Sequence, residues 1–337
     1  MMSTRSRLCM VSALVTVSLS VAGCGSASSS SASSSSASGS SGGNTTITVA
    51  LTPASTVACL KVSGERGIFT KHGVTVTFTA APPTGAAIIA QILNGQVTAG
   101  VGGYTSVITA VSRGLPVMIT NATDHDYDQG GQTGYATIVG KGSDVTSFKQ
   151  LEGKTVAVNS LGGNWQVALS EAVVKDGGDP SKVKTIAIPF PQQITALKAG
   201  RVDAISTLPP FIGQLTSQGY RSIGDPQAIS LGTKDSASGV VFMAKSYVET
   251  NSDAVKSFVA AQQEGNLWCN AHPTEIRKAI VDITKVPQDI IDKTPLATFN
   301  TTIAPTETDA WSKLLLKYKV ITKAPAADEV VWPGATS

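Results

Sequence analysis

Apolar positions recur with a period of two over residues 47–51, with the spacing of a helix over 57–70, and with a period of two again over 74–78. The succession repeats. A helix over 86–93 stops at Asn94-Gly95, a strand of small side chains follows over 97–101, another strand covers 117–121, and a further one begins at Thr137. Strand, helix and strand in alternation predict α/β layers with largely parallel strands. Residues 239–243 read as an apolar strand after the polar run 234–238. Beyond it the pattern is helical, over 252–270, 273–284, 287–293 and 306–318, with Ser, Pro, Pro and Thr at the starts.

The two halves of this pattern echo each other. Ile89, Ile92, Gly95, Val97 and Ala99 are matched at a constant offset of 105 by Ile194, Leu197, Gly200, Val202 and Ala204. Both series read helix, then a Gly free to take the left-handed conformation that ends it, then a short buried strand. Two lobes are expected, with the first interrupted by the second: residues 45–134, then 135–233, then a return to the first lobe over 234–337 with the C-terminal helices packed on it. Two crossover strands of this kind make a hinge.

What precedes residue 45 decides the compartment. Arg5 and Arg7, an apolar stretch over 8–22 and the small pair Ala22-Gly23 before Cys24 have the order of a secretory signal. The stretch, broken by Ser12, Thr16, Ser18 and Ser20, is too short to span a bilayer well. Val21-Ala22-Gly23-Cys24 resembles a bacterial lipobox, so residues 1–23 are expected to leave and Cys24 to carry lipid. The nineteen residues 25–43 are all Ser, Ala or Gly. With residue 44 they form a tether over 24–44 whose r.m.s. span is roughly 24 Å, enough to hold a domain just off a membrane. An extracytoplasmic, lipid-anchored protein is expected.

Composition narrows the class. Apolar residues make up 42% of the chain and charged residues 15%, which is globular rather than disordered. The net charge of +3 includes Arg5 and Arg7, and no basic run is interleaved with aromatics, so nucleic acid is not an expected partner. Of four cysteines only Cys59 and Cys269 remain in the folded part. Each falls in a segment expected to pack as helix in the first lobe, and an oxidising compartment predicts that they pair. Neither lies in a C-x-x-C, so no metal is expected. The acidic run Asp124-His125-Asp126-Tyr127-Asp128 is no calcium loop, because Gly130 comes one place late and position twelve is Tyr135.

The chain from Thr46 to Ile321 resembles the type-2 periplasmic-type binding proteins of the sulfonate, nitrate, taurine and thiamine-pyrimidine-precursor group. Gly67-Ile68-Phe69-Thr70-Lys71-His72-Gly73-Val74-Thr75-Val76 is similar to that family's G-y-F-x-x-x-G-L-x-V signature. Residues 147–158, ending Gly153-Lys154-Thr155-Val156-Ala157-Val158, resemble its D-L-x-G-K-x-V-A-V stretch, and Gly200-Arg201-Val202-Asp203-Ala204 its G-x-V-D-A. Two departures stand out. Thr98 occupies the first-lobe place where the family usually has Asp, and Thr207-Leu208-Pro209-Pro210-Phe211 replaces an aromatic, acidic, Pro, aromatic run.

The resemblance implies the solute-binding subunit of an ABC importer: a monomer without cofactor that takes a small solute between its lobes and delivers it to the importer's membrane subunits. The ligand would sit at strand ends and helix N-termini, where unpaired N–H groups converge. The strongest candidates are Ser160, Gly162, Gly163, Asn164 and Trp165, which follow a strand and open a helix. Tyr104, Thr105 and Ser106 face them from the first lobe, Ser55 and Thr56 follow the first strand, Pro209 and Phe211 offer an apolar face, and Asp126 an acidic wall. An exported enzyme, or a relative of the pyrimidine synthases, is the rival reading. It lacks support in G-x-S-x-G, H-E-x-x-H or P-loop motifs, none of which occurs beyond residue 44.

Overall fold

The computed structural model describes residues 44–125, 128–129 and 132–335. The leader, Cys24, the Ser/Ala/Gly segment before residue 44 and Asp126 lie outside them. Among the described residues no helix is long and apolar enough to cross a membrane.

The first sheet begins with β1 (Thr45–Leu51), β2 (Val74–Ala80), β3 (Ala99–Gly102) and β4 (Val117–His125). A short hairpin, β5 (Asp128–Gln129) and β6 (Gln132–Thr133), leads into the second sheet. That sheet holds β7 (Ala136–Val139), β8 (Thr155–Val158), β9 (Lys184–Ala187), β10 (Ala204–Thr207) and β11 (Arg221–Ser222), before β12 (Ala237–Ala244) rejoins the first. The strand orders are β2-β1-β3-β12-β4 and β11-β7-β10-β8-β9.

The sheets are mixed rather than largely parallel. β1 runs parallel to β2 and β3, and β8 to β9 and β10, because helices connect them. The strands that carry the chain between lobes run the other way: β12 is antiparallel to β3 and β4, and β7 to β10 and β11. The chain leaves the first sheet at His125 and returns at Ala237, and these two residues are paired. Tyr135, beyond the exit, donates its hydroxyl to the Ser238 carbonyl at 2.7 Å, so the two crossings are tied side by side.

The internal echo is a repeated piece of structure. Gly95 and Gly200 are both left-handed, at φ 71° and 65°. The next amide, of Gln96 or Arg201, reaches back to the carbonyl of Gln91 or Ala196, each at 2.9 Å, the Schellman closure of a helix end. Thr98 and Asp203 then do the same work. Thr98 gives its N–H to the Thr48 carbonyl and accepts the Thr48 N–H on Oγ1, while Asp203 gives its N–H to the Thr155 carbonyl and accepts the Thr155 N–H on Oδ2. The departure from Asp at position 98 therefore leaves the clasp at the strand start intact.

Residues 57–70 are two helices, Ala58–Glu65 and Ile68–Lys71, because Gly67 at φ 71° breaks the run that periodicity alone reads through. Helix Ser252–Ala271 packs on both, and Asn121 of β4 donates to Gln262 at 2.9 Å to fix it from the sheet side. The outer edge of β4 is covered by backbone bonds with Thr298, Thr301 and Trp332, which removes an exposed strand edge.

The C-terminal helices pack on the first lobe, with Trp311 1% exposed beside Ile108 and Leu315, and they also reach the second. Ile291 shares a core with Phe211 and Leu215. Lys317 and the Tyr318 hydroxyl both donate to Glu171, on the second-lobe helix Asn164–Lys175. Cys59 and Cys269 are joined by a disulfide with Cα atoms 5.8 Å apart, both in helices beneath the first sheet.

Candidate functional site

Loops at the carboxyl ends of β1, β2, β3, β8, β9 and β10 meet between the sheets around a cavity of about 290 Å³. That is the small end of the range of about 300–1,000 Å³ usual for ligand pockets. Helices Gly85–Leu93, Tyr104–Ser112, Asn164–Lys175 and Phe190–Lys198 start at its wall. Each contributes backbone N–H groups without intrahelical partners and the positive end of its dipole.

The second-lobe loop shows how sequence builds this. Gly162 is left-handed at φ 71°, which favours glycine, and a Cβ on Gly163 would stand 2.5 Å from the Ser160 hydroxyl and force it to turn away. Gly163 caps the helix without a side chain, and Gln166 accepts the Gly162 N–H at 2.7 Å. The lobes touch here. Ser55 donates to the Pro209 carbonyl at 2.9 Å, and a Cβ on Gly103 would come within 2.8 Å of Asn164 Oδ1. Gly103→Val is therefore expected to prop the lobes apart and weaken solute binding about tenfold, in line with the cost of overpacking. Scattering should report a larger radius of gyration for the solute-saturated variant; wild-type affinity and radius would contradict this.

Of the residues proposed from sequence, the structure brings Ser55, Thr56, Ser106, Ser160, Asn164, Trp165 and Pro209 to the cavity wall. It does not bring the others. Tyr104 turns into the protein, its hydroxyl 2.8 Å from Thr308 Oγ1, and burial pushes its pKa well above the usual tyrosine range. Thr105 is buried one residue further round the same helix, Phe211 lies in the core shared with the C-terminal helices, and Gly162 and Gly163 shape the loop from behind. Asp126 lies outside the described residues.

Three features of the wall escape the sequence reading. Tyr135, Trp165 and Phe190 form an aromatic group with ring centroids 4.5 and 5.1 Å apart, of which only Trp165 is predicted. Thr84 and Gly85 belong to a third helix start, for which the Thr84 cap, accepting from the Ala87 N–H, was the available signal. The acidic group in the wall is Asp124, two residues before the expected one. It is 1% exposed, and burial raises its pKa from 3.8 to about 7 against the Thr123 hydroxyl bonded to it at 2.7 Å. Among the described residues the wall carries no Lys, Arg or His.

Solved structures place this architecture among the two-lobed periplasmic binding proteins. The alkanesulfonate-binding protein SsuA from Xanthomonas axonopodis pv. citri, bound to MOPS, superposes with a TM-score of 0.71 at 16% identity, over 85% of this chain and 97% of that one. The aliphatic sulphonate binding protein SsuA from Escherichia coli gives 0.69 at 15%, over 87% and 93%. The nitrate-binding protein NrtA from Synechocystis PCC 6803 gives 0.69 at 17%, over 86% and 87%. No curated protein matches. A family model described as NMT1/THI5 like matches residues 55–276, and the chain belongs to that family.

Proposed function

We propose that the protein is the extracytoplasmic solute-binding subunit of an ABC importer. It captures a small organic solute between lobes 45–134 plus 234–337 and 135–233, and is held at the membrane as a monomer by lipid on Cys24. The observation that carries this reading is the cavity between two sheets, walled by four helix starts and approached by the chain through two paired crossing strands. Such a hinge lets solute binding favour the lobe arrangement that membrane subunits recognise.

The helix end at 160–164 suits an acceptor group such as a sulfonate or a ring carbonyl, held by N–H groups rather than by a cationic side chain. A taurine-like sulfonate or an amino-heterocycle fits it better than nitrate, which would leave the aromatic wall unused. This reading assigns the wall hydroxyls of Ser55, Ser106 and Ser160 to solute binding; among the described residues no histidine lines the cavity with them. Mass spectrometry of small molecules released on denaturing the purified protein is expected to find one solute in near-stoichiometric amount. Adding it back should compact the protein in small-angle scattering. A released compound that the protein converts on re-addition would favour the enzyme reading instead.

A further inference from the structure

We infer that Asp124 is the specificity-determining residue of the cavity, and that it selects solutes bearing a cationic nitrogen group, an amidinium, ammonium or protonated ring amine, on a flat body. The inference rests on the solute-binding reading and adds the chemistry that the site prefers.

Asp124 sits near the end of β4, where the chain leaves the first lobe. Asp124 is one of the residues around the cavity, is 1% exposed, and accepts the Thr123 hydroxyl on Oδ1. A buried carboxylate with one neutral donor is short of the partners that its charged form needs. Among the described residues the wall supplies no cation. His125 acts on Asp124 through space and not by contact: it points Nδ1 at Asp235, 2.7 Å away, and Nε2 at the Thr302 carbonyl, 2.9 Å away, while Glu307 accepts the Ala237 N–H. The tyrosine of the wall, Tyr135, gives its hydroxyl to Ser238. The missing counter-charge can therefore come from the solute.

Tyr135, Trp165 and Phe190 supply the complementary surface, aromatic faces on which a planar cation stacks favourably. An anion meets the opposite situation, since its charge beside Asp124 is tolerated only while that carboxyl stays protonated.

Three probes share one ring and differ in the head group: benzamidine, benzamide and benzenesulfonate. Titration followed by tryptophan fluorescence is expected to rank them in that order. Because Asp124 must ionise to hold a cation, benzamidine affinity should fall about tenfold per pH unit below about pH 7 and level off above it. Asp124→Asn should lower benzamidine affinity at least about tenfold at pH 8 and flatten its pH profile, leaving benzamide within about threefold. Wild-type calorimetry at pH 7 in buffers of different ionisation enthalpy needs no variant, and should show proton release on benzamidine binding.

Benzenesulfonate binding as tightly as benzamidine, proton uptake with benzamidine, or a folded Asp124→Asn protein that keeps benzamidine affinity would each overturn the inference. The solute-binding reading would survive these results. Failure of all three probes would also overturn it, and the identity of the released solute then tests the broader reading alone.

Discussion

Reducing the Cys59–Cys269 bond lowers the thermal midpoint of the folded protein by roughly 10 °C. The bond closes a loop with a sequence separation of 210 residues, and the whole second lobe lies within that loop. Chain entropy assigns a cross-link of this length about 5 kcal/mol, because the unfolded chain loses the freedom to separate its ends. Both cysteines are almost fully buried, in helix Ala58–Glu65 directly after β1 and in helix Ser252–Ala271. The bond therefore ties the first part of the first lobe to the part that returns after the second lobe is complete. Cys59→Ala with Cys269→Ala should reproduce the loss without reductant. Calorimetry of the oxidised, reduced and doubly substituted proteins checks it. A drop under about 2 °C would contradict the entropy argument, and two reactive thiols in the folded, unreduced protein would contradict the bond.

The fold was largely legible because its signals are local. Period-two and period-three-to-four runs placed the strands and helices, and the offset of 105 picked out a helix end and strand start that recur down to individual hydrogen bonds. Gly67 misled because a left-handed glycine leaves the apolar spacing on either side in phase, so periodicity reads through the break. Strand direction in the mixed sheets was not legible either, since it depends on where a returning strand inserts. β12 lies between β3 and β4, neighbours in sequence that it separates in space.

The site was legible as loops and less so as side chains. Each predicted loop does reach the cavity, but helical phase decides which of its residues face inward. Tyr104 and Ser106 are roughly 200° apart on one helix, so only one of them can line the wall. Phe190 gave no signal because its ring partner Trp165 lies 25 positions away, and Tyr135, which packs on Trp165, lies 30 positions before that. The acidic run announced a carboxylate without saying which. Asp124 reaches the wall where β4 pairs with Gly239, at an irregularity in the register between β4 and β12 that a run of acidic residues does not announce.

The unliganded protein is most stable in weakly acidic solution, near pH 5, and its thermal midpoint falls by roughly 10 °C between pH 5 and pH 8. Two buried carboxyls produce this. Burial lifts Asp124 from 3.8 to about 7 and Glu307 from 4.5 to about 7, in the latter case against the charge of His125 and the Ala237 N–H. A carboxyl whose pKa is higher folded than unfolded favours the folded state below the unfolded value, and that contribution is lost as pH rises through the folded value. Each group thus costs on the order of 3 kcal/mol once it must ionise in place. His125 acts in the same direction. Burial opposes its charge, but the bonds to Asp235 and Thr302 and the charges of Asp235 and Glu307 outweigh burial and raise its pKa, so its contribution is also lost on the alkaline side. The acid limit comes from carboxyls held low. Glu171 is lowered despite burial by Lys317 and Tyr318, and Asp176 by the backbone N–H of Lys149; their contributions disappear as pH falls through those lowered values. Calorimetric midpoints at half-unit steps from pH 4 to 9 should trace this asymmetric peak. Glu307→Gln, which keeps an oxygen to accept the Ala237 N–H without a charge to ionise, should flatten the alkaline slope by about half. A midpoint that rises from pH 5 to 8, or a slope unchanged in Glu307→Gln, would show that these buried carboxyls do not govern the pH dependence.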